Sequence, residues 1–165
     1  MLVNSQIISA NDSITFSDAE MRNWQIINDT VMGGHSHSRL VVKDNVAVFE
    51  GNLSLEDNGG FSSCRRNSSP DFIDGGTIKL QVKGDGRRYQ FRLYTPFLNW
   101  GAAYVAEFQT QKDEWSVISL DESGFYPKFR GRYISEAPSL RFSDVRQLGI
   151  LIGDKTPGPF RLNIK

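Results

Sequence analysis

Along most of the chain apolar and polar residues alternate with a period of two. Ile78, Leu80 and Val82 take every second place in residues 77–83, and Tyr89, Phe91 and Leu93 do so in 88–94. Successive side chains of a strand point to opposite faces, so the pattern predicts half-buried β-strands. Gly84-Asp85-Gly86-Arg87 separates the two runs, which predicts an antiparallel hairpin with Asp85 as a turn residue tolerant of positive φ. Residues 38–43 and 45–50 read as another hairpin, turning at Asp44-Asn45, and 52–56 alternates through Leu53 and Leu55. Residues 102–110 and 115–120 form a further predicted pair, turning at Gln111-Lys112-Asp113-Glu114. The last two strands, 148–153 and 159–164, are joined through Lys155-Thr156-Pro157-Gly158.

Helical signals are few. Ser17-Asp18-Ala19-Glu20 has the spacing of a capping box, which predicts a short helical turn through Met21, and 143–147 reads as a second brief turn. Residues 1–16 mix Ile7, Ile8, Ile14 and Phe16 with polar residues, as an edge strand or wrapping arm would. Residues 125–132 read as an aromatic and basic loop. About ten short strands with glycine- and proline-marked turns predict an all-β fold, a sandwich or barrel of antiparallel strands. There is no alternating βαβ pattern to build a Rossmann-type sheet.

The chain of 165 residues, 39% apolar, is long enough for one full core, so a single domain over 1–165 is expected. Residues 1–21 would be its arm and helical turn and 22–164 its core. Lys+Arg and Asp+Glu stand at 19 each, so no global field draws nucleic acid or an anionic membrane, and any partner is recognised locally. No apolar run approaches the roughly 18 residues of a membrane-spanning helix. The single cysteine, Cys64, excludes an internal disulfide and suits a reducing compartment. The first residues show neither a signal peptide nor an arginine-rich transit pattern, so a cytoplasmic location is expected.

Two segments organise the rest. Asn28-Asp29-Thr30-Val31-Met32-Gly33-Gly34-His35-Ser36-His37-Ser38-Arg39 is answered by Asp57-Asn58-Gly59-Gly60-Phe61-Ser62-Ser63-Cys64-Arg65-Arg66. Each sets a glycine pair before small hydroxyl residues and ends in arginine. Glycine pairs permit positive φ and close backbone approach, while serines and acids satisfy the backbone of tight loops. The expected picture is two corners side by side at one end of a sandwich, joined by an Asp29–Arg65 ion pair. Asp29, Met32, Gly33, Gly34, Ser36, Gly59, Gly60, Phe61, Ser63 and Arg65 would organise these loops, and Gly84, Asp85 and Gly86 the hairpin turn.

No chemical constellation stands out. His35 and His37 lie two apart, but a metal site needs three or four ligands and no further histidine exists. No metal and no cofactor are expected. Cys64 beside Arg65 and Arg66 would be activated only if all three shared a face, and alternation puts Arg65 opposite, so an inert buried thiol is expected. The glycine pairs lead into strands, whereas a phosphate cradle leads into a helix. Asp29, Asp85, His35 and His37 remain scattered acid-base candidates without a specified geometry, and no catalytic residue is expected. The recognition candidates are Trp100, Tyr126, Phe129, Arg130 and Arg132, together with Phe97, since exposed aromatics beside arginine anchor interfaces and also stack on sugar rings.

The blocks Trp24-Gln25-Ile26-Ile27-Asn28-Asp29-Thr30-Val31-Met32-Gly33-Gly34, Phe49-Glu50-Gly51-Asn52-Leu53-Ser54 and Asn58-Gly59-Gly60-Phe61-Ser62-Ser63 carry a resemblance. So do Val82-Lys83-Gly84-Asp85-Gly86-Arg87, Phe129-Arg130-Gly131-Arg132, Arg146-Gln147-Leu148-Gly149 and Gly158-Pro159-Phe160-Arg161-Leu162. In this order the chain resembles the complex I intermediate-associated protein 30 family. The resemblance implies a galactose-binding-domain-like jelly roll and, for mitochondrial members, a role in assembling respiratory NADH:ubiquinone oxidoreductase. On this reading the chain is a compact bacterial member and a non-enzymatic domain that docks on a protein, with complex I subunits or assembly factors as implied partners. The alternative is a carbohydrate or small-ligand binding module of the same fold.

Overall fold

The alternation is obeyed in residues 37–43, 78–83 and 88–94, whereas 102–106 are buried on both faces. A computed structural model describes residues 13–165, and Ile7 and Ile8 of the expected arm lie outside them. A four-residue helix, α1 (Asp18–Met21), precedes twelve described strands. These are β1 (Trp24–Asn28), β2 (His37–Lys43), β3 (Val46–Leu53), β4 (Ser62–Arg66), β5 (Ile78–Lys83) and β6 (Arg88–Tyr94), then β7 (Ala102–Gln109), β8 (Trp115–Leu120), β9 (Tyr126–Phe129), β10 (Arg132–Tyr133), β11 (Gln147–Ile152) and β12 (Gly158–Ile164). They form a seven-stranded sheet ordered β1-β4-β11-β6-β7-β9-β10 and a five-stranded sheet ordered β2-β3-β12-β5-β8. The pairings within both sheets are antiparallel.

The core lies between the sheets. Tyr89, Phe91 and Leu93 of β6, Tyr104, Ala106 and Phe108 of β7, and Leu148, Ile150 and Ile152 of β11 face Phe49, Val82, Phe160 and Leu162 from the other sheet. Phe49 and Phe160 meet edge to face at 5.1 Å, and Tyr89 stacks near Phe108 at 6.1 Å, the offset geometries that aromatic quadrupoles favour. Each of these large side chains contributes about 1.5–3 kcal/mol by leaving water.

Three sequence expectations about connectivity are corrected. The runs 77–83 and 88–94 do not form a hairpin: β5 pairs with β8 and β12, whereas β6 pairs with β7 and β11. The chain arches from one sheet to the other through Gly84-Asp85-Gly86-Arg87, and Gly86, not Asp85, carries the positive φ of +89°. Likewise β7 and β8 belong to opposite sheets. Two strands that each bury one face show the same alternation whether they lie side by side or face to face, so the pattern cannot tell hairpin from arch. The third correction concerns 125–132, which is no loop: β9 and β10 form a hairpin turning at Arg130-Gly131, both at positive φ. The β2–β3 hairpin does turn at Asp44-Asn45, again with both residues at positive φ, and 52–56 begins as the continuation of β3.

The helical turn keeps half of its capping box. Ser17 Oγ accepts the amide proton of Glu20 at 3.1 Å. The Glu20 carboxylate turns away from the helix and accepts from Arg66 Nε at 2.7 Å and from the Trp24 indole at 2.7 Å, which pins α1 to β4 and β1.

The arch after β5 is tight enough to test. A Cβ on Gly84 would lie 2.2 Å from that of Thr110, whose hydroxyl donates to the Arg87 carbonyl and accepts from the Gly86 amide. Gly84→Ala is expected to cost about 2 kcal/mol or more in urea unfolding, and Gly124→Ala, which meets open space, less than about 0.5 kcal/mol. Equal midpoints for the two variants would show that the arch is not close-packed.

Candidate functional site

Asn28 and Asp29 leave the end of β1 where the chain crosses to the other sheet. Asp29 is 1% exposed, and its carboxylate accepts from Ser36 N (2.9 Å), Ser36 Oγ (2.6 Å), Gly60 N (2.7 Å) and Phe61 N (3.3 Å). Its own amide donates to the Phe61 carbonyl, and its carbonyl accepts from Gly34 N. The two glycine corners therefore meet at one carboxylate. A Cβ on Gly34 would stand 2.5 Å from Asp29 Cγ, and one on Gly59 2.6 Å from Oδ2, so the absence of side chains lets the acid fit between them. Gly33 closes the preceding turn at φ +88° and Gly60 has φ +142°, whereas Met32 is exposed on the rim. Asn28 Oδ1 adds a second tie, accepting from Ser38 Oγ and Ser63 N.

The expected Asp29–Arg65 ion pair is not formed. Register sets Asn28 opposite Ser62 and Gln25 opposite Arg65, three residues back from the corner. Arg65 lies instead over the Tyr94 ring, with Cζ 4.0 Å from its centroid. Burial works to raise the Asp29 pKa, but the hydrogen bonds from Ser36, Gly60 and Phe61 outweigh it and hold the group below the ordinary value of 3.8.

A second junction braces the same end of the molecule. Asp85 accepts from the amides of Arg87 and Arg161 and from the buried Tyr89 hydroxyl. Arg87 makes a two-point ion pair with Asp154, at 3.0 and 2.6 Å, and donates to the Pro159 carbonyl. Arg87 and Asp154 escaped the sequence reading because partners 67 residues apart leave no local pattern.

The four scattered acid-base candidates are not gathered. Asp29 and Asp85 are engaged in these junctions, His35 Nε2 is 2.6 Å from Asp57, and His37 lies exposed on β2. Among the described residues no group of three or more His, Cys, Asp or Glu is placed to hold a metal ion. Cys64 is fully buried in the core, and burial pushes its thiol up to about 12.

The recognition candidates lie at the opposite end, where β6 runs into the loop before β7. Trp100 is 94% exposed, Phe97 61%, Tyr126 54% and Tyr133, which the sequence reading passed over, 64%. Ala102 pairs with Phe129, so the loop bearing Phe97 and Trp100 ends beside the β9–β10 hairpin. That hairpin carries Tyr126, Phe129, Arg130, Arg132 and Tyr133, with Arg130 Cζ 5.2 Å from the Phe129 ring and Arg132 exposed. One end of the seven-stranded sheet is thus studded with rings and guanidinium groups.

A family model described as complex I intermediate-associated protein 30 matches residues 14–164. The chain belongs to that family. This member is 27% identical over 154 residues to a Caenorhabditis elegans protein named "Probable complex I intermediate-associated protein 30, mitochondrial", covering 79% of this chain and 45% of that one. It is 25% identical over 167 residues to the Mus musculus complex I intermediate-associated protein 30, mitochondrial, covering 88% and 51%. The chain spans about half the length of these curated relatives. They are eukaryotic proteins named as mitochondrial, which overturns the expectation of a bacterial cytoplasmic member. Among solved structures the fold is similar to a family 11 carbohydrate-binding module from Clostridium thermocellum in complex with a mixed-linked tetrasaccharide, at TM-score 0.57 and 16% identity over 91% of this chain and 93% of that one. The likeness shows the galactose-binding-like jelly-roll fold. No helix among the described residues is long and apolar enough to cross a membrane.

Three outcomes follow for this family member. Asp29→Asn leaves one buried oxygen replaced by a donor facing donors, and is expected to cost about 2–4 kcal/mol in chemical unfolding. Because the folded pKa is depressed, the stabilisation from ionised Asp29 is complete above the unfolded value of 3.8 and fades as pH falls through the lower folded value. The stability of Asp29→Asn should accordingly fall less steeply below about pH 4 than that of the wild type, and parallel curves would contradict the assignment. Cys64 should resist iodoacetamide at about pH 8 in the folded protein and react fully in denaturant, as mass spectrometry would report.

Proposed function

We propose that the domain is a non-enzymatic docking module that binds a protein partner through the ring-bearing end of its seven-stranded sheet. The observation that carries this reading is the exposure of Trp100, Phe97, Tyr126 and Tyr133 around one hairpin and its neighbouring loop, with Arg130 and Arg132 among them. Exposed aromatic groups of this kind forgo burial in the free protein and regain it on association, and Trp, Tyr and Arg dominate binding hot spots. The polar junctions at the other end are saturated by internal hydrogen bonds and face no shared reaction centre, which supports a scaffold without catalysis. The relatives' name, association with a complex I intermediate, points to complex I subunits or assembly factors as the partner.

Carbohydrate binding is the second reading, supported by the shared fold and by the same exposed rings, which suit sugar stacking. The two separate cleanly. Crosslinking in native extract followed by mass spectrometry is expected to recover complex I subunits or assembly factors with the wild type. With Trp100→Ser combined with Tyr126→Ser, recovery is expected to be reduced about tenfold or more at unchanged melting temperature. Undiminished recovery with the double variant, or specific hits on a glycan array with no protein recovered, would overturn the docking reading.

A further inference from the structure

The outer face of the seven-stranded sheet carries a second group of side chains, away from the exposed rings. Register places Arg65 of β4 opposite Gly149 of β11, and Gly149 opposite Arg92 of β6. Both arginines face outward, because their strand neighbours Cys64, Phe91 and Leu93 point into the core. They stand on one row, separated by a residue with no side chain. Tyr94 fills the gap from the next row, with Arg65 Cζ 4.0 Å and Arg92 Cζ 5.9 Å from its ring centroid. Arg92 Nε donates to the Tyr94 hydroxyl, and its Nη1 donates to Gln90.

Among the described residues neither guanidinium has a carboxylate partner, although Arg66, Arg87 and Arg141 each have one. Glu107, an acid on the same face, stands 3.8 Å from Arg88 and 4.0 Å from Lys128. The Nε proton of Arg65 is buried without an acceptor. Two neighbouring cations without a counter-charge repel each other, so this face holds a deficit that an incoming anion would relieve.

We propose that Arg65 and Arg92, with Tyr94 between them, receive the carboxylates of an acidic segment of the partner protein. The assignment rests on the docking reading and names the chemistry of its partner. Guanidinium groups take carboxylates bidentately, and two arginines rooted two strands apart, with backbones about 9–10 Å from each other, suit side chains spaced along a polypeptide better than one small anion. The row also leads over the buried Val105 to the edge hairpin: Arg92 is opposite Val105, and Val105 is opposite Tyr126. An acidic segment lying across the strands would reach the aromatic hairpin without leaving the face.

Titration of the whole chain with fluorescein-labelled decaglutamate at low ionic strength, followed by anisotropy, tests the receptor directly. Arg65→Gln and Arg92→Gln are each expected to weaken binding about tenfold, while Arg39→Gln on the other sheet leaves it unchanged and decalysine does not bind. Should Arg65→Gln lower the melting temperature, Arg92→Gln, which leaves the buried Nε untouched, carries the test. No binding by the wild type, binding by both variants as tight as by the wild type, or displacement by inorganic phosphate as tightly as by the peptide would overturn the proposal. The two readings part in the crosslinking experiment. Full partner recovery by the Arg65→Gln, Arg92→Gln double variant removes the acidic-segment receptor and leaves docking intact. Peptide binding that depends on both arginines, without any partner recovered, removes docking and leaves a receptor for acidic peptide.

Discussion

One buried carboxylate holds the frame. Between β1 and β2 the chain leaves the seven-stranded sheet for the five-stranded one, and between β3 and β4 it returns. Asp29 sits where these crossings meet and accepts protons from both. An ionised group removed from water is tolerated only when its lone pairs are filled, and here four donors fill them. The arrangement leaves no room for a Cβ at Gly34 or Gly59, so acid and glycines form one structural unit.

The same logic recurs beside it. The β5–β6, β7–β8 and β11–β12 crossings are tied by Thr110, Asp85 and the Arg87–Asp154 pair. Five inter-sheet crossings at one end are thereby fixed by side chain to backbone bonds or by an ion pair whose side chains are each 13% exposed. The opposite end carries ties of its own, from Glu20 to Arg66 and from Glu122 to the Phe142 amide, and beside them the molecule shows its rings. The exposed rings take no part in these ties, which lets the edge hairpin present aromatic groups on a scaffold that does not have to move.

Much of this was legible from residue order. Alternation located the strands, Asp44-Asn45 marked a true hairpin, and Ser17 marked the start of a helical turn. The repeated glycine pairs drew attention to the corner that Asp29 organises. Strand partnership was less accessible: β5 with β6, and β7 with β8, looked like hairpins and are arches between sheets. Glu20 illustrates the limit in miniature, for its spacing suggested a capping box and its carboxylate serves Arg66, 46 residues away. Tyr94 and Arg92 carried no signal at all, because only register brings them to Arg65 across Gly149.

By itself the order of residues determined the local state of the chain: where it extends, where it turns, which face of each strand seeks the core, and to which family it belongs. The local properties depend on side chains within a few positions of one another, and the family on the order of short blocks along the chain. Tertiary structure alone decided which extended segments became neighbours, which acid met which arginine, and which aromatic rings stayed in water. A period of two fixes the face a strand buries and is silent about what lies beside it. That choice falls to packing and charge between residues far apart in the chain.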